Sequence, residues 1–67
     1  MYNCVIRKNS DEKNGLHVAM YFAWQGKPEI YPVEDHNIAW KLACVLENAM
    51  KNEGYEVGNL VEKPYYA

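Results

Sequence analysis

Residues 16–24 read LHVAMYFAW. Leu16, Val18, Met20, Phe22 and Trp24 alternate with His17, Ala19, Tyr21 and Ala23. Successive side chains of an extended chain point to opposite faces, so a period of two held over this length marks a long β-strand. One face is fully apolar and must be covered. The other is small and only mildly polar, unlike the Lys/Glu/Thr surface of a freely solvated sheet. It is expected to be covered or to receive a partner.

The neighbouring segments extend this reading. YNCVIRK, residues 2–8, sets Tyr2, Cys4 and Ile6 against Asn3, Val5 and Arg7, which predicts a first strand. NSDEKNG, residues 9–15, is polar and ends in Asn-Gly, a strong turn signal. QGKP is a second turn, and EIYPVE reads as a short third strand that Pro32 pushes to a sheet edge, since proline donates no ladder hydrogen bond. DHNIAWKLACVLENAMKNEG, residues 35–54, has the start and stop of a helix. Asp35 is a good N-cap, with Glu34 also placed where the dipole favours negative charge, and Gly54 suits C′ with Lys51 in the last turn. YEVGNLVEK is a last strand with Gly58 at a bulge or bend, and PYYA closes the chain.

The order β-β-β-α-β over residues 1–67 predicts a single α+β domain. Its two layers are an antiparallel sheet of three to four strands and one helix packed against it. The sequence leaves open whether the last strand pairs with the first or joins the other edge. Three strands followed by one helix is a layout similar to the small HicB-type antitoxin domains. Where that family commonly carries a Pro-Asp-Leu-Pro-Gly type loop, this chain has AWQGKPEIYP, so the resemblance is one of layout and carries no function.

The helix raises a question of its own. At 100° per residue, Ile38, Leu42, Val45, Leu46 and Ala49 cluster within about a third of a turn, and Ala39, Ala43 and Met50 extend the stripe. That stripe is the expected core face, flanked by Lys41, Asn48 and Asn52. Opposite it fall Glu47, Lys51, Trp40 and Cys44, with Trp40 and Cys44 touching as i and i+4 neighbours. Tryptophan is enriched at binding hot spots, so this apolar spot is the first candidate docking site. In the competing reading, EIYPV or the terminal PYYA folds over Trp40.

Composition limits the remaining possibilities. A chain of 67 residues lies near the lower limit for folding on one apolar core, and 49% apolar content is enough to build one. Its net stability is expected to be a few kcal/mol, so dimerisation or a partner would help. Seven basic and nine acidic residues are interspersed for a net charge of −2, without the basic stripe that phosphate binding needs. MYNCVIRK lacks the charged leader and apolar run of a signal peptide, and no apolar run reaches membrane-spanning length. These features predict a cytoplasmic protein (host cytoplasm if viral) with Cys4 and Cys44 as reduced thiols.

Catalytic signals are weak. Cys44 lies in mid-helix, away from the N-terminus that would lower its pKa, and His36 is roughly 12 Å away along the axis. No phosphate loop or nucleophile elbow occurs, and Cys4, Cys44, His17 and His36 match no metal-ligand spacing. The expectation is therefore no catalytic, cofactor or metal site, and a small protein-binding module. Such a chain, of the inhibitor or adaptor kind that phages and mobile elements carry, would act by steric occlusion of a partner protein or by self-association as a homodimer. The expected contact residues are Trp40, Cys44, Glu47 and Lys51 on the helix, Tyr21 and His17 on the sheet, and Tyr65 and Tyr66 in the tail. The alternatives are a nucleic-acid-binding regulator that stacks bases on the outer sheet face, and a small thiol-dependent enzyme.

Overall fold

A computed structural model describes residues 1–65. β1 (Cys4–Asp11) and β2 (Gly15–Phe22) form a long antiparallel hairpin in which Cys4 faces Phe22 and Asp11 faces Gly15. β1 runs through residues 9–11, which the sequence assigns to the turn, so only residues 12–14 remain as loop. Asp11 accounts for the extension. Its carboxylate accepts the Asn14 N–H at 2.7 Å, a local bond that closes the turn tightly and holds the Asp11 carboxyl below its usual range.

β3 (Glu29–Pro32) pairs antiparallel with β2 and is an edge strand, as Pro32 requires. β4 (Val57–Asn59) pairs with β1 in parallel, Cys4 beside Val57, and the sheet order is β3-β2-β1-β4. The sheet is therefore mixed, not antiparallel throughout. The reason is the direction in which the helix returns the chain. It brings residue 56 back to the start of β1, where the Asn3 and Cys4 N–H groups both donate to the Glu56 carbonyl. The strand that follows can only run alongside β1, and Leu60 N–H extends the pairing to the Ile6 carbonyl at 2.8 Å.

The helix α1 (His36–Asn52) starts and stops where its caps place it. Asp35 accepts the Ile38 N–H at 2.8 Å. Gly54, at φ +99°, turns the chain out of the helix, so that its N–H reaches the Lys51 carbonyl and the Tyr55 N–H reaches that of Met50. These two bonds form a Schellman motif, and Met50 and Tyr55 both pack against the core.

Cys4, Ile6, Val18, Met20, Ala39, Ala43, Val57 and Val61 form the buried core. The helix meets the sheet through Ala39 and Ala43, with Trp40, Leu42, Leu46 and Met50 packed around them. This differs from the expected face by about a quarter of a turn. Small residues sit at the point of closest approach, and bulky ones fill the diverging space on either side. Ile38, Val45 and Ala49, which the sequence places in the core, are exposed instead. Trp24 lies beyond the end of β2, largely exposed, but its ring stacks on Phe22 and Tyr55 with centroids 5.1 and 5.5 Å away. α1 lies over β4, β1 and β2 and does not reach over β3. No helix among the described residues is long and apolar enough to cross a membrane.

Candidate functional site

The rotation of α1 relocates the expected helix site. Glu47 accepts a hydrogen bond from Asn59, at the end of β4, at 2.9 Å, and pairs with Lys51 at 2.6 Å. The Lys51 bond, then the Asn59 bond, hold the Glu47 carboxyl below its usual range. Trp40 is half-buried against the core, and Lys63 of the C-terminal segment stands 5.6 Å over its ring. Trp40, Cys44, Glu47 and Lys51 thus share the helix flank that faces β4 and the tail. Trp40 is half-buried rather than pointing to solvent opposite the core, and the residue over its ring is Lys63, which lies outside both EIYPV and the terminal PYYA.

The surface that α1 does expose is apolar. Val45 is 63% exposed and Ile38 40%, with Ala49 exposed and Leu42 half-buried beside them. Residues 38, 42, 45 and 49 follow a 4-3-4 spacing, which draws one line of apolar side chains along the helix, as in the seam of a coiled coil. Because Glu47 and Trp40 mark the β4 side of the helix, this ridge leans toward the opposite side, above β2 and β3. Lys41 is exposed along its outer margin. Below the ridge, on the helix side of β3, lie Glu29 and Tyr31, the register partners of Met20 and Val18. The Tyr31 hydroxyl donates to Glu29 at 2.7 Å, and burial, with this bond second, pushes the phenol up to about 12. Tyr31 and Val33 are half-buried against the core. The ridge and β3 lie side by side on the helix side of the sheet, and α1 makes no contact with β3, which leaves a step between them. The sequence carried its signal in the width of the apolar arc, which exceeds what one sheet can bury.

The outer sheet face carries no described element, yet its centre is closed. His17 is 2% exposed, lying between Asn9 and Pro32 across the two ladders, and its Nδ1 is 2.8 Å from the Gly15 carbonyl. Ala19 is buried between Arg7 and Ile30 in the same way. His17 therefore presents almost no surface, contrary to the exposed position expected for it, whereas Tyr21 is 39% exposed. Tyr65 is exposed and, with Lys8, His36 and Lys63, lines an open cleft of about 350 Å³ beside the start of α1. Tyr66 lies outside the described residues.

The chain matches no known protein family, no curated protein and no solved structure. Its site chemistry therefore rests on its own side chains. Cys4 and Cys44 are free, and burial, with Glu29 second, pushes the Cys4 thiol up, so it stays protonated and unreactive near neutral pH. Among the described residues no three His, Cys, Asp or Glu side chains gather where they could hold a metal ion. What the arrangement offers is contact area: an apolar ridge, an adjoining step, and two exposed charges of opposite sign, Lys41 and Glu29.

Proposed function

We propose that this chain is a protein-binding module without catalytic chemistry of its own, of the inhibitor or adaptor kind, acting by steric occlusion of a partner protein or by self-association. The observation that carries the reading is the line Ile38, Leu42, Val45 and Ala49, in which Ile38, Val45 and Ala49 are exposed and Leu42 is half-buried between them. Exposed single apolar residues are ordinary, but an aligned set on a rigid, doubly capped helix is the form in which helices dock into grooves. Trp40 serves as packing beneath the tail, and Tyr21 marks a secondary contact on the sheet. Base stacking has less support: His17 is buried, which leaves Tyr21 without its ring partner, and the net charge is −2.

The test is capture of proteins from native lysate on the immobilised chain, comparing wild type with Val45→Asp and Ile38→Asp. Circular dichroism should be unchanged, because both positions are exposed. Loss of specific captured species in both variants supports the ridge. Equal capture by all three chains would remove it as the docking surface.

A further inference from the structure

We infer that the occupant of the ridge and step is a second copy of this chain, joined about a twofold axis that runs along α1. The inference rests on the ridge being a docking surface, and the dimensions argue for this occupant. Four strands about 4.8 Å apart make a sheet roughly 19 Å across, whereas a helix with its side chains is about 10 Å wide. α1 is in contact with β4, β1 and β2 but not with β3, so the strip of sheet above β3 stays clear of it. A twofold along the helix lays each α1 into the strip of the other copy, ridge against ridge. The product is three layers, a sheet on each side of a pair of helices. Each apolar surface left open in one copy is then closed by the equivalent element of the other, as an isologous interface requires.

Charge fits the same arrangement. Lys41 is on the side of α1 that points away from its own sheet, and so toward the β3 of the other copy. It is five residues into the helix from His36, about 8 Å along the axis at 1.5 Å per residue. Glu29 is four residues back from Val33, on the order of 13 Å at about 3.3 Å per residue. Both distances start from the same end of the molecule, and an axis along the helix preserves them. The remaining offset of about 5 Å is within reach of a lysine's four-carbon stem. Each dimer thus holds two Lys41–Glu29 pairs, one in each direction.

The available area is of the right scale. A 17-residue helix is about 25 Å long, and with the step the footprint is on the order of 500 Å² in flat projection, more with side-chain relief. Specific interfaces occupy about 600–1,000 Å² per partner, so the dimer falls at the weaker end of that class.

Sedimentation of the full chain across micromolar to millimolar concentrations tests the proposal. The expected mass rises from 7.8 kDa toward twice that value. Val45→Asp stays monomeric with an unchanged circular dichroism spectrum. Glu29→Lys and Lys41→Glu each weaken self-association at least about ten-fold, because each sets like charges together in both pairs. Mixing these two variants restores a dimer, since every pair then joins opposite charges. Should Glu29→Lys fail to fold, Glu29→Gln against Lys41→Glu keeps the charge comparison. A chain that stays monomeric throughout overturns the proposal, and lysate capture through Val45 would then still be decided separately. A dimer that survives Val45→Asp, or a charge-swapped mixture that stays apart, overturns it as well.

Discussion

Trp40 and Val45 sit five residues apart on α1 and exchange the roles their positions in the sequence suggest. The tryptophan packs against the core under Lys63, and the valine faces solvent. Replacing a fully buried Trp by Ala costs about 3–5 kcal/mol, and Trp40 is half-buried, so Trp40→Ala should lose about 2 kcal/mol. Val45→Gln should stay within about 0.5 kcal/mol in dilute solution. Denaturant unfolding of the two variants decides the phase of the helix: the reverse order of costs would place Trp40 outside. Tyr31 tests the step beside it. Its phenol is pushed up to about 12, first by burial and then by the bond to Glu29. A raised folded value favours the neutral hydroxyl in the native state. The contribution is therefore complete below pH 10, the ordinary value, and is lost as pH rises toward 12. In a tyrosinate absorbance titration, assigned with Tyr31→Phe, one phenol should titrate late. Glu29→Gln should lower its value only part of the way, because burial is the larger cause. A complete return to 10 would make Glu29 the main cause and leave Tyr31 effectively solvated.

Among the elements, β4 is the shortest strand and depends on an unusual contact. Gly58 lies under the Tyr2 ring, and a Cβ built there would meet ring carbons at 2.9–3.1 Å. Gly58→Ala should therefore destabilise the fold by about 1–2 kcal/mol through overpacking. With Tyr2→Ala in the same chain, most of that loss should vanish. A double-mutant cycle reads the coupling directly, and additive effects would show that the ring simply swings away. This contact also shows why some of the fold was legible in the sequence and some was not. Strand alternation in LHVAMYFAW and the caps Asp35 and Gly54 are local signals, and the elements follow from them. The sheet edge at Pro32 follows from a missing donor. Placement of β4 beside β1 depends on which way the helix returns the chain, which no residue of YEVGNLVEK encodes alone. The helix phase was misread for a different reason. Apolar residues cover nearly half the circumference of α1, and hydrophobicity weights Leu, Ile and Val over alanine. Contact geometry prefers Ala39 and Ala43 where the helix comes closest to the sheet. The candidate site moved with that phase, from Trp40–Cys44 to Ile38–Val45, and His17 left it because its neighbours on β1 and β3 enclose it.

At the scale of the molecule, the Cα extents of 35 × 27 × 16 Å describe a thin slab of two layers. One helix is too narrow to cover four strands, so a domain of this size leaves apolar surface uncovered on the helix side as a matter of geometry. A small domain's net stability is a few kcal/mol, and any partner that binds only the native state adds RT ln(1 + [L]/Kd) to it. When the partner is a second copy, [L] is the protein itself. The midpoint of thermal unfolding should then rise with protein concentration. At 100 times the dissociation constant, binding of this kind adds about 2.7 kcal/mol. For a domain of 60–100 residues each kcal/mol moves the midpoint by about 4–8 °C, so a rise on the order of 10–20 °C from the dilute chain to that concentration is the expected outcome. Val45→Asp should flatten that dependence while leaving the dilute midpoint almost unchanged, since the exposed position contributes little within one copy. Scanning calorimetry at matched concentrations makes the comparison. A midpoint independent of concentration in the wild-type chain would mean that the step above β3 stays open in solution, and that the ridge is held for a partner of another kind.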